Sequence, residues 1–142
     1  MINLFKKKEK DKINNNDFLS KVGSLLIHAA KIDEIYTNEE KEIVKKTLIK
    51  LGPKNLDIDK IMSEATVNED NSNQILDFTR EIKNTSESNK IKIIEALWEI
   101  IYSNKNADMY ETNLMRRLAG LLYINNKIMG DIKEKIKKEY LK

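Results

Sequence analysis

The chain has 142 residues, no cysteine and a formal net charge of +3, enough length for one domain that buries about two-thirds of the surface its unfolded form exposes. The missing thiols exclude disulfides, thiolate metal sites, a cysteine nucleophile and thiol redox chemistry. Five lysines against two acids in residues 1–12 account for the whole net charge, so the body is neutral and no nucleic-acid-binding face is expected on it.

No apolar run reaches about 18 residues, and the opening Met1-Ile2-Asn3-Leu4-Phe5 leads straight into lysines. Neither a spanning helix nor a secretory signal is expected, which makes the cytoplasm the expected location. Residues 1–16 read as a disordered basic tail and residues 17–142 as one helical domain. With only Ile2, Leu4 and Phe5 at its tip, the tail offers at most weak membrane association through residues 1–12.

In chain order, a first helix spans about Asp17 to Lys31. Asp17 is a candidate N-cap, Phe18, Val22, Leu25, Leu26 and Ala29 form the inward face, and Lys21, Ser24, His28 and Lys31 form a solvent stripe. His28, the only histidine, is then a surface residue rather than a catalytic base. A second helix opens with Thr37-Asn38-Glu39-Glu40, a capping box in which Thr37 and Glu40 satisfy each other's backbone N–H groups. Gly52-Pro53 ends it, with Gly52 expected in a left-handed cap. A third helix runs from about Asp57 to Ala65, residues 68–73 form a polar connection, and a fourth runs from about Ser72 to Lys83.

Residues 84–88 supply capping oxygens for a fifth helix, Ile91 to Tyr102, which is apolar on all but one stripe holding Lys92, Glu95, Glu99 and Ser103. A helix of that kind must be largely surrounded by others, and Trp98 on its apolar face reads as core before ligand platform. A sixth helix begins at Asp108 with Glu111 three residues on, again a capping-box spacing. It carries Leu114, Met115, Leu118, Leu121 and Leu122 inward. Asn126 is expected to cap a seventh, with Ile128, Ile132 and Ile136 inward and lysines outward. No period-2 segment appears, so the fold class is all-α. A shift of 71 residues lays Leu26 on Leu97, Thr37 on Asp108, Glu40 on Glu111 and Leu51 on Leu122. The expectation is a single compact seven-helix domain built from two helical hairpin units related by a pseudo-twofold.

The run Glu95-Ala96-Leu97-Trp98 through Tyr102, then Asp108-Met109-Tyr110-Glu111, then Leu114-Met115-Arg116-Arg117-Leu118-Ala119 resembles the TerB family of tellurite-resistance-associated proteins, and most closely its small stand-alone bacterial TerB-like members. The resemblance covers about Phe18 to Lys137. It implies a seven-helix domain and an acidic motif in each hairpin loop that is proposed to hold a divalent cation, Ca²⁺ or Mg²⁺. Transferred here, that motif falls on Asp33, Glu34 and Glu40 in the first loop and on Asp108 and Glu111 in the second. The first copy has Glu34 at the glycine position and Ile35 at the next acidic one. The second has Asn104, Lys105 and Asn106 at the Asp, Gly and Glu positions. Calcium takes six to eight oxygens, so these departures weaken a site without abolishing it, and Glu40 and Glu111 read first as helix caps favoured by the helix dipole. Arg116 and Arg117 stand either as partners of the acidic loops or as solvated arginines.

The resemblance implies a non-enzymatic cytoplasmic module of protein interaction or stress response, with an unidentified protein partner. An enzyme is disfavoured by the single histidine, the missing thiol and the lack of a phosphate loop or nucleophile elbow. Direct chemistry on tellurite is hard to build without sulfur. The alternative is a peripheral membrane or nucleic-acid adaptor acting through the lysine tail.

Overall fold

The expected periodicity resolves into seven α-helices and no strand among the described residues, which in this computed structural model are 16–32, 34–72, 74–103 and 109–140. The helices are α1 (Asn16–Ala30), α2 (Asn38–Leu51), α3 (Ile58–Asp70), α4 (Leu76–Ile82), α5 (Glu87–Ser103), α6 (Met109–Leu121) and α7 (Asn126–Tyr140). The basic tail read in the sequence lies outside the described residues except for Asn16, which opens α1. None of the described helices is long and apolar enough to cross a membrane.

Two helices share the centre. The all-round apolar α5 behaves as its composition requires: Ile93, Ile94, Ala96, Leu97, Trp98, Ile100, Ile101 and Tyr102 are buried against α1, α2 and α7. Its narrow polar stripe reaches outward, with Glu95 accepting from Lys135 of α7 at 2.7 Å and Glu99 standing 3.8 Å from Lys46 of α2. The second central helix is α1, which the solvent stripe expected for it had concealed. It packs against α2, α3, α4 and α5, and Ser24 on the supposed outer face is wholly buried. The Ser24 hydroxyl lies 2.8 Å from the Ser20 carbonyl and 2.9 Å from that of Ala65, tying α1 to α3. Between the same helices Gly23 permits a close approach, since a Cβ there would stand 2.8 Å from the Ala65 Cβ.

The reason for the discrepancy is α3. It continues to Asp70, through residues expected to be a polar connection, and so covers the side of α1 that carries Ser24 and His28. At its end Glu69 receives Lys31 at 2.9 Å and stands 3.3 Å from His28 Nδ1, while Asp70 receives Lys31 at 3.0 Å. The Lys31 ion pairs and the His28 contact thus meet a polar last turn that local propensity assigns to a loop. His28 is therefore half-buried beside Phe78 rather than solvated. Conversely α4 starts at Leu76, later than expected, at an Ile75 that offers no side-chain cap.

Helix ends follow the expected chemistry with three corrections. Asp17 lies inside the first turn of α1 rather than at its cap. At α7 the capping oxygen comes from Asn125, whose Oδ1 accepts from Lys127 N–H at 2.6 Å, while Asn126 is already helical. Gly52 ends α2 with φ −90°, not left-handed. What makes it glycine is space: a Cβ would lie 2.9 Å from Leu56 Cδ2 and 3.1 Å from the Leu48 carbonyl oxygen. The left-handed cap appears instead after α6, where Tyr123 has φ 57°. Its N–H points to the Gly120 carbonyl and that of Ile124 to Ala119, the Schellman pattern. Lys83 and Lys90 stand 5.9 Å and 5.8 Å from the Tyr123 ring.

Candidate functional site

The acidic loop between α1 and α2 turns through Glu34, a non-glycine residue at φ 66° whose N–H bonds to the Lys31 carbonyl at 2.9 Å. Its side chain is exposed, as is that of Ile35. Three residues on, the capping box forms as the sequence spells it. Thr37 N–H donates to Glu40 Oε1 at 2.8 Å and Glu40 N–H to Thr37 Oγ1 at 3.0 Å. Glu40 is completely buried by this arrangement, its charge held against the positive end of the α2 dipole.

Beside it Tyr36 is half-buried, and its phenol oxygen is enclosed without a hydrogen-bond partner among the described residues. Burial first, then the Glu40 carboxylate, push its pKa up to about 12. The ring forms one wall of a cleft of about 370 Å³ whose other lining includes Lys41 and Lys45 from α2 and Asp59, Ser63 and Thr66 from α3. The Thr66 hydroxyl donates to the Met62 carbonyl at 2.8 Å, so it serves its own helix.

Of the five carboxylates read as a cation set, Asp33 and Asp108 lie outside the described residues, and Glu111 falls in the first turn of α6 with its side chain likewise outside. The two that are described differ: Glu34 faces solvent while Glu40 is sealed in the cap. Among the described residues no group of three or more His, Asp or Glu is placed to hold a metal ion. Hard divalent cations need six or more oxygens, so Glu34 and Glu40 do not by themselves fit one. Arg116 and Arg117 are exposed on α6 and make no ion pair among the described residues.

Two features escaped the sequence reading. One is the His28, Lys31, Glu69 and Asp70 cluster. Only a longer α3 would have revealed it, although the i, i+4 series Ser20, Ser24, His28 matched against Glu64 and Glu69 hinted at two facing helices, and Ser20 does donate to Glu64 at 2.8 Å. The other is the groove between α6 and α7. Its floor is Trp98, stacked on Tyr102 with ring centroids 5.8 Å apart and planes 24° apart, and covered by the Lys133 ammonium 5.4 Å from the ring centre. The groove encloses about 190 Å³ and includes Met115, Arg116, Met129 and Gly130 in its lining.

Compared with known proteins, residues 3–134 match the family model described as tellurite resistance protein TerB. No curated protein and no solved structure gives a significant match. The family match spans nearly the whole chain, its helices α1 to α6 entirely and most of α7, and the chain belongs to the TerB family.

Proposed function

We propose that this chain is a non-enzymatic cytoplasmic module that binds a partner protein in a stress response of the kind its family's description names, tellurite resistance. The observation that carries the reading is how the buried polar groups are occupied. Glu40 and Thr37 close a helix cap, Ser24 ties α1 to α3, Ser20 bonds Glu64, and Thr47 bonds the Ile43 carbonyl at 2.8 Å. A catalytic pair is drawn into a cleft with its pKa values set apart, whereas these groups serve the fold. What is left for function is the outer surface, including the cleft beside Tyr36, the groove between α6 and α7, and Arg116 and Arg117, which make no ion pair among the described residues.

The reading requires no divalent cation; binding of Ca²⁺ or Mg²⁺ to the loops bearing Asp33 and Asp108 is a separate matter, put to thermal unfolding. Glu40 acts first as a cap. The reading is tested by deleting the gene, challenging the cells with tellurite, and restoring the chain. Heightened sensitivity that the wild type and Glu34→Gln both restore is the expected result. Indifference to tellurite and to other oxidative challenge, together with turnover of a metabolite by the purified chain, would overturn it.

A further inference from the structure

The groove between α6 and α7 has three features that core packing does not explain. Its floor, Trp98, is only 3% exposed, yet the indole N–H is buried without an acceptor among the described residues. Such an orphan is destabilising, and buried indoles ordinarily find a partner. Its walls are deformable and incomplete: Met115 and Met129 carry flexible thioethers, and at Gly130 an added Cβ would meet nothing within 4 Å. Its rim is cationic, with Arg116 and Lys133 and no carboxylate among the described lining residues.

We propose that this groove docks an acidic peptide segment of a partner protein, which inserts one apolar side chain between Met115 and Met129 against Trp98 and sets its carboxylates on Arg116 and Lys133. The proposal rests on the reading of the chain as an interaction module and names the surface through which it acts. Size favours a single anchor: the groove's ≈ 190 Å³ falls below the roughly 300–1,000 Å³ of whole small-molecule sites, while one desolvated side chain in a pocket is the usual hot spot of an interface. Charge selects the occupant. The chain's own apolar tip, Ile2, Leu4 and Phe5, is followed by Lys6, Lys7 and Lys8, and docking it would set like charges on the rim. Lys133, lying over the indole, is the flexible cover that an incoming carboxylate would draw aside.

Trp98 is the only tryptophan, so its emission reports on the groove directly. The full chain is titrated with a seven-residue peptide bearing a central leucine and three glutamates on each side. Companion probes carry lysine for glutamate, glycine for leucine, or are a short oligothymidylate. The expected result is a saturable change in emission with the glutamate–leucine peptide, weakened about tenfold or more by Arg116→Glu, by Lys133→Glu and by the glycine companion. Gly130→Leu, which fills the groove while favouring the helix, should abolish the response with circular dichroism unchanged. No saturable change, equal binding of the lysine companion, a response to the oligonucleotide instead, or self-association that alters emission without peptide would each overturn the proposal. If the variants still capture the same cellular partner as the wild type, the groove is refuted while the interaction-module reading stands.

Discussion

Gly23 is where the packing of α1 on α3 is tightest, and a single methyl group measures it. In Gly23→Ala the new Cβ would stand 2.8 Å from the Ala65 Cβ and 3.2 Å from Leu48 Cδ1, against an optimum of about 3.5–4.0 Å between carbons. Leu48 is a flexible tip on α2, but Ala65 is bonded directly to the α3 backbone, so α1 and α3 must part by several tenths of an ångström. Overpacking of this kind costs about 1–3 kcal/mol, while alanine recovers up to about 1 kcal/mol of helix propensity over glycine. A 2.8 Å contact with a Cβ that cannot swing away puts the cost at about 2–3 kcal/mol, so the net expectation is a loss of about 1–2 kcal/mol, read as an earlier urea midpoint at unchanged m. Separation of the helices also stretches the Ser24 contact to the Ala65 carbonyl, now 2.9 Å. Two controls sharpen the test. Gly120→Ala and Gly130→Ala meet nothing within 4 Å and should stabilise by up to about 1 kcal/mol. Adding Ala65→Gly to Gly23→Ala should recover part of the loss, giving a favourable coupling of at least about 0.5 kcal/mol. A Gly23→Ala protein as stable as the wild type, or strictly additive with Ala65→Gly, would refute the close approach.

Further predictions follow from the caps and the buried polar groups. Thr37→Ala removes the acceptor for the Glu40 N–H and should cost about 1 kcal/mol in chemical denaturation. Ser24→Ala leaves the buried Ala65 carbonyl without its side-chain donor and should cost about 1–3 kcal/mol by the same measurement. Tyr36→Phe deletes a phenol oxygen that has no partner among the described residues, so stability near neutral pH should hold or rise. In the wild type the folded pKa of about 12 lies above the ordinary 10. The neutral phenol is thus the form the fold prefers, its contribution is complete below pH 10, and it is lost as pH rises toward 12. Absorbance titration at alkaline pH should therefore lose its latest phenol step in Tyr36→Phe. A step that disappears near pH 10 instead would contradict the burial. Saturating Ca²⁺ or Mg²⁺ should leave the thermal midpoint within about a degree of its starting value, because a site filled at a hundred times its Kd would add about 2.7 kcal/mol and raise it by several degrees. A rise that Asp33→Asn or Asp108→Asn abolishes would establish the acidic loops as a cation site.

How far the sequence was legible depended on whether a signal was local. The capping box of Thr37 and Glu40 joins residues three apart on one chain segment, and it forms as spelled. The apolar periodicity of α5 likewise required no knowledge of its neighbours, because a helix with one narrow polar stripe can only be enclosed. The role of α1 was obscured for the opposite reason. Ser24 and His28 look like solvent-facing residues until α3 supplies the Ala65 carbonyl and Glu69 against them. The last turn of α3, ending at Asp70, meets Lys31 and His28, about forty positions away in the chain, which no window of local propensity includes. Gly52 was correctly placed at a helix end but for the wrong reason, since crowding by Leu56 and not a left-handed turn excludes a side chain there. Trp98 was legible as core, and it is. Its N–H, without a partner among the described residues, and the groove that α6 and α7 line beside it belong to tertiary geometry alone.

The central claim is that this TerB-family chain works by binding a partner through its folded surface. The most direct measurement is quantitative crosslinking capture in its own cells, before and after tellurite, with the wild type beside Leu97→Asp, which places a charge at a fully buried position and unfolds the core. The account predicts at least one protein enriched by the wild type, more strongly after challenge, and lost with the unfolded variant. A wild-type profile indistinguishable from that of Leu97→Asp under both conditions would contradict it.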